Sequence, residues 1–421
     1  MRIAAAATLA ILAAVPQRTP PARKQFEDLQ ARVRTAIKAS DHQSRIAADM
    51  ELQRLLNGSP TVFEALARAY AASGDAQKAL AALNRFADLG QADDNLLSGA
   101  DKTFSALQSR PEYNQLLERF RHNQNPISLG TTAITLPDPG LLTEDIDFDP
   151  STRSLLVTSV LQHKIIRATL DGRVTDFASS PDRWPMLAVK VDAPRHLVWA
   201  TEVALDGFTA APKEAWGRSA VLSYDLATGK LLNRIEGPPG SALGDMVLTA
   251  AGEPIVSDGE GGRLYRLAGN NLSEIESNEF ISPQTPVPVP GADAILVPDY
   301  LRGIAILHLR TNKVSWIDQG KVALNGVDGL YLHGRSLILT QNGTSPQRII
   351  LLQLDSSFTR ITNSKVIEQA SPDSGDPTHG VFVGDDFYYI ANSGWNQLDD
   401  HGNVKPGARP APARIMRYSL R

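Results

Sequence analysis

Three carboxylates, an amide and an imidazole stand at the same point of a repeating unit in this 421-residue chain: Glu144, Asp245, Asp328, Gln284 and His379. In the second repeat that point falls at Met186 or Leu187. Carboxylates brought together repel one another and resist ionisation unless a cation lies between them. Oxygen ligands with an imidazole suit calcium, magnesium, manganese or zinc, and an oxygen-rich set favours the first three. Each of these residues also lies at a turn, where Asp and Glu commonly cap backbone N–H groups. Singly, each reads as structural. Together, Glu144, Asp245, Asp328 and His379 make a candidate site. Asp145, Asp147 and Asp149 read as turn residues.

Other chemistry is thin. There is no cysteine, which excludes disulfides, thiolate metal sites and a cysteine nucleophile. No Gly-x-Ser-x-Gly elbow, phosphate loop or His-Glu-x-x-His motif occurs. Asn392, Ser393 and Trp395 sit on a loop that could line a pocket mouth, but the stretch reads better as an ordinary turn. His163-Lys164 reads as a solvated hairpin, and Asp299-Tyr300 as a structural turn. Asn342-Gly343-Thr344 fits a glycosylation sequon, although Asn-Gly explains itself as a hairpin. The net charge of −4 gives no basic footprint for nucleic acid.

The repeat that must position these residues is clearest over residues 142–178. Four runs rich in β-branched and aromatic residues are separated by Asp149-Pro150-Ser151, Gln162-His163 and Asp171-Gly172. Four short strands closed by tight turns make one propeller blade, and blade repeats run to about 40–50 residues. Similar units follow over 186–236, 242–275, 282–318 and 325–361. A sixth begins at Thr378 and has only three strands. The second carries an insertion over 204–216 and the sixth one over 395–412. The predicted strand at 131–136 is spare, and pairing it with 415–420 closes the ring and leaves no open edge. The fold class is therefore mainly β, a six-bladed propeller over 130–421.

Residues 24–125 read as helical, with Ala and Leu at three- and four-residue spacing. Phe63, Leu66, Ala67, Tyr70, Gly74, Ala79, Leu83 and Phe86 have the spacing of one tetratricopeptide repeat (TPR), with flanking helices over 26–56 and 104–120. A TPR-like bundle of about five helices is expected, either docking a protein partner or covering one end of the propeller. Residues 17–23 read as a linker. Residues 1–16 read as a signal peptide: Arg2, then an apolar run too short to span a bilayer. A start set too far upstream and an uncleaved anchor are the alternatives. Export to a periplasm or beyond is expected, with no membrane span after the signal is removed.

The phrases EDIDFDPSTRSLLVTSVLQHKIIRATLDG, GDMVLTAAGEPIVSD and VDGLYLHGRSLILTQNG resemble those of the SMP-30/gluconolactonase/LRE-like six-bladed propellers, over about 131–421. The resemblance implies a metal-dependent lactonase or esterase. In such enzymes a divalent cation, often calcium, polarises the carbonyl, and a carboxylate is both ligand and base. It implies Glu144 and Asp328 as metal ligands, the latter also as base, with Gln284 where the family has an asparagine. The family's substrate pair, Arg and Asn, is represented by Gly244 and Asp245, so no arginine is present there. His379 has no counterpart to carry over. The implied function is an exported hydrolase of a small-molecule lactone or ester. The alternative is a non-catalytic propeller scaffold whose helical domain docks a protein.

Overall fold

The computed structural model describes residues 21–208, 211–372 and 374–421. The predicted signal peptide lies outside these residues. Helix α1 begins at Pro21, inside the stretch read as a linker.

The N-terminal region holds α1 (Pro21–Lys38), α2 (His42–Leu55), α3 (Pro60–Ala72), α4 (Ala76–Asp88), the one-turn α5 (Asp94–Leu97), a 3-10 segment (Lys102–Leu107) and α6 (Pro111–Asn123). The expected pair is present as α3 and α4. Gly74 takes φ +84° at the turn, and Asp75 caps α4 by accepting from the Lys78 N–H. Leu66, Ala67, Ala79, Leu83 and Phe86 are buried between the two. Phe120 of α6 packs edge-on against Phe86, centroids 5.9 Å apart. The single helix expected over 104–120 is instead two pieces. Pro111 lacks the N–H that a continuing helix needs, and it opens α6.

Six antiparallel sheets follow, one for each predicted blade. Their innermost strands are Thr143–Asp149, Met186–Asp192, Leu243–Leu248, Val287–Pro288, Val327–His333 and Gly380–Val383. Between neighbouring sheets lie apolar clusters, such as Leu156 and Ile165 of blade one with Met186, Val198 and Leu222 of blade two. Thr131–Thr135 pairs antiparallel with Arg414–Ser419 and completes blade six, as the spare strand required. An additional short strand, Ile127–Ser128, pairs with Gln369 and Glu368 and makes blade five five-stranded.

Alternating strand direction fixes which ends meet. The start of each innermost strand, the turn between second and third strands, and the crossover to the next blade all lie at one end of the ring. The helical region binds that end. Arg302 Nε donates to the Leu55 carbonyl at 2.9 Å, and Gln319 Nε2 to Asn57 O at 2.6 Å. Arg348 Nη2 donates to Leu89 O, and the Ala92 N–H to Ser345 O. Leu55–Asn57 and Leu89 close α2 and α4, where helix carbonyls are left without partners, so the propeller's polar side chains act as caps. The helices thus sit over blades three to five. The 204–216 and 395–412 insertions rise at the same end from blades two and six and meet: the Phe208 and Trp395 rings are 5.4 Å apart.

Candidate functional site

The innermost strands of blades one, two, three and five carry a break in register at their start, between Thr143 and Ile146, Met186 and Val189, Leu243 and Met246, and Val327 and Gly329. Such bulges leave backbone N–H groups off the ladder and re-aim side chains. Second-strand hydroxyls hold several of them. Thr158 Oγ1 accepts from the Asp145 N–H at 2.9 Å, Thr201 Oγ1 from Ala188 at 2.9 Å and Thr340 Oγ1 from Gly329 at 2.8 Å. Thr158 and Thr201 also donate to the next blade, to Leu187 O and Gly244 O.

Aligned by their bulges, Glu144, Leu187 and Gly244 share one level. Asp145, Ala188 and Asp245 share the next. The sequence reading set Asp245 beside Glu144 by counting from the strand start. The structure moves it one step down the channel.

Glu144, Asp328 and His379 come together, with one potential ligand atom of each within 4.8 Å of the others. His379 is almost fully buried. Its Nδ1 lies 2.9 Å from the Glu144 backbone oxygen. A carbonyl only accepts, so Nδ1 carries the proton and Nε2 faces the channel. Nε2 is 2.9 Å from Thr285 Oγ1 and 3.2 Å from Asp245 Oδ1. The other oxygen of Asp245 is buried with no hydrogen-bond partner among the described residues. Asp328 Oδ2 accepts from Asn342 Nδ2 at 2.8 Å, and Tyr300 donates its hydroxyl to Asn342 Oδ1 at 3.0 Å, which fixes the amide. Glu144 Oε2 accepts from the indole N–H of Trp395.

Gln284 does not join this group. Its amide nitrogen bonds Ser282, 3.1 Å from Oγ, and Thr285 is the blade-four residue that reaches His379. The innermost strand here is only Val287–Pro288, and the preceding chain runs extended, with the Gln284 N–H on Pro298 O. Thr285 turns inward to His379, and the Gln284 amide turns to Ser282. In this structure the Gln284 amide is engaged by Ser282 rather than by Glu144, Asp328 or His379. Asp149 is a turn residue as read, accepting from Ser151 and Arg167. Asp145 and Asp147 reach across to blade two, where Asp145 holds Lys190 Nζ at 2.5 Å and Asp147 the Val191 N–H at 2.6 Å.

The electrostatics are those of crowded, buried carboxyl groups. Burial, then the neighbouring Asp328, push Glu144 well above the usual carboxylate range, against the pull of His379. Burial also raises Asp328 to about 7, with Asp245 and Asp376 adding to the effect and His379 opposing it. Burial works against a charged His379, yet Asp245 and Asp328 hold it well above its ordinary value. Crowded acids of this kind suit a hard divalent cation, and Glu144, Asp328 and His379 offer ligand atoms within reach of one another. Of the residues around these groups, Trp395, weighed as lining a pocket mouth, and Asn342 and Tyr300 read as turn residues in the sequence, and Thr285 is not singled out there. The first three stand in segments indistinguishable from turns. A weak signal existed for the bulge supports, a hydroxyl residue at the same point of VTS, ATE, VSD and LTQ.

No family profile and no curated protein matches the chain. Among solved structures, it is similar to the calcium-binding protein regucalcin from Agrobacterium tumefaciens, at 18% identity and TM-score 0.48 over 68% of this chain and 93% of that one. It is also similar to the PQQ-bound aldose sugar dehydrogenase of Streptomyces coelicolor, at 13% and 0.47 over 69% and 98%. A third is virginiamycin B lyase from Staphylococcus aureus, at 13% and 0.45 over 69% and 88%.

Proposed function

We propose that this chain is a metal-dependent hydrolase of a lactone or ester, working at the mouth of the propeller channel. The observation that carries the reading is the convergence of Glu144, Asp328 and His379 from three blades. When bound, a divalent cation supplies Lewis acidity toward the substrate carbonyl; calcium fits the oxygen-rich set best, with magnesium, manganese or zinc as alternatives. Glu144 and Asp328 hold it. Trp395 fixes the Glu144 carboxylate, and the Tyr300–Asn342 pair fixes that of Asp328. Asp328, ionised when it ligates, is the base that takes a proton from the attacking water. His379 turns Nε2 to the channel beside Thr285 and Asp245, where it either donates to Asp245 or serves as a ligand once deprotonated. The apolar N-terminal run supports work outside the cytoplasm, in a periplasm or after secretion. No helix among the described residues is long and apolar enough to cross a membrane.

The test is turnover of a lactone and ester panel with added calcium or manganese. Loss of turnover in both Glu144→Ala and Asp328→Ala supports the reading. A protein that binds the metal but turns over none of the panel contradicts it. The second reading is a scaffold whose helical region docks a protein.

A further inference from the structure

The level of the site occupied by Glu144 changes character around the ring. In blade two that level is Leu187. In blade three it is Gly244, where an added Cβ would meet no atom within 4 Å, so space is open there. Leu187 belongs to an apolar cluster with Leu142, Phe208 and Leu398, in which Leu187, Leu205 and Trp395 keep part of their surface exposed. Trp395 at one side of this cluster bonds Glu144. Leu187 and Trp395 thus give the Glu144 level an apolar side, and the next blade leaves open space at Gly244.

The charges point the same way. Asp145, Asp245 and Asp376 surround Glu144 and Asp328, against Lys190 and His379. Lys190 is already paired with Asp145, and Arg302 and Arg348 at this end are committed to helix carbonyls. These acidic surroundings disfavour an anionic substrate. A polyhydroxylated one finds few donors along the Leu187 side.

We infer that the space bounded by Leu187, Gly244 and Trp395 is a substrate subsite that takes the apolar tail of a neutral lactone or ester. This rests on the hydrolase reading for the bond that is cleaved, but the subsite itself is tested by binding. The probes are six-membered lactams with alkyl tails of one to nine carbons, which bind as uncleaved stand-ins for lactones, titrated with calcium present. Affinity is expected to rise roughly fourfold per methylene until the space is filled. Gly244→Leu, at a position without positive φ, fills the space and should flatten this dependence while leaving calcium affinity unchanged. Trp395→Phe keeps an aromatic wall and should preserve the dependence. Affinity that is independent of tail length, or a Gly244→Leu protein with the same tail dependence as wild type, overturns the inference. Tail-dependent binding without hydrolysis of the matching lactones leaves the subsite standing and removes the hydrolase reading instead.

Discussion

Thr201 Oγ1 donates to the Gly244 carbonyl of the next blade at 2.6 Å while accepting the Ala188 N–H of its own bulge. One buried hydroxyl thus serves a donor and an acceptor that the strand ladder has left unpaired, at the mouth where the site residues converge. Thr201→Val keeps the shape and leaves both groups without a partner. It is expected to cost roughly 1–3 kcal/mol, read from denaturant midpoints. Thr201→Ser should recover most of the loss. A valine variant as stable as wild type contradicts this role.

Metal-free stability should fall as pH rises. Asp328 sits at about 7 when folded, above its unfolded value near 3.8, so the folded state holds the extra proton between the two. That contribution is full below the unfolded value and is lost as pH climbs toward 7. His379 is also raised, so its contribution is present below its unfolded value of 6.5 and lost through its higher folded one. Both act in one direction. Thermal scans between pH 4 and 8 should show the melting temperature of chelator-treated protein dropping toward neutral pH, and calcium reversing the drop.

Binding should also release protons. His379 Nε2 cannot hold both a proton and a cation, and Asp328 must ionise to ligate. Calorimetry at pH 6 in two buffers of different ionisation enthalpy should give different apparent heats. Equal heats would mean that neither group changes protonation.

The Gln284 assignment has its own check. Since its amide faces Ser282, Gln284→Ala should leave metal affinity within about twofold, whereas Glu144→Ala should weaken it by more than a hundredfold, on the order of 3 kcal/mol. A strong loss in the Gln284 variant restores that residue to the ligand set.

Much of the architecture was legible because it rests on local pattern. The turns at Asp149-Pro150 and Asp171-Gly172 and the alternating runs between them mark a blade wherever they recur. The incomplete sixth unit called for a strand that Thr131–Thr135 supplies. The α3–α4 pair was legible from Ala67, Gly74 and Ala79; the structure does not establish a TPR-like character for the rest of the bundle, where α5 is one turn and a 3-10 segment follows. Which end the helices cover was not legible. It depends on Arg302, Asn325 and Arg348 meeting carbonyls of α2 and α4 more than two hundred residues away. Within the site, Glu144, Asp328 and His379 were found from their repeat position. Gln284 stands at the repeat position of Glu144, since Pro283 pairs with Asp299 as Thr143 does with Ser159, and what sets it apart is its side-chain bond to Ser282, which no repeat count shows. Trp395 and Asn342 were passed over because their loops read as turns, and only the closed ring brings them to Glu144 and Asp328.

Calorimetric titration of calcium and manganese into the chelator-treated protein, with Glu144→Ala and Asp328→Ala alongside, bears most directly on whether the channel mouth is a metal centre. One site per chain in the wild type, absent from both variants while their circular dichroism is unchanged, is the predicted result. No binding in the wild type, or binding that survives in both variants, would contradict a metal centre at Glu144 and Asp328 and leave the docking reading of the helical region as the one to pursue.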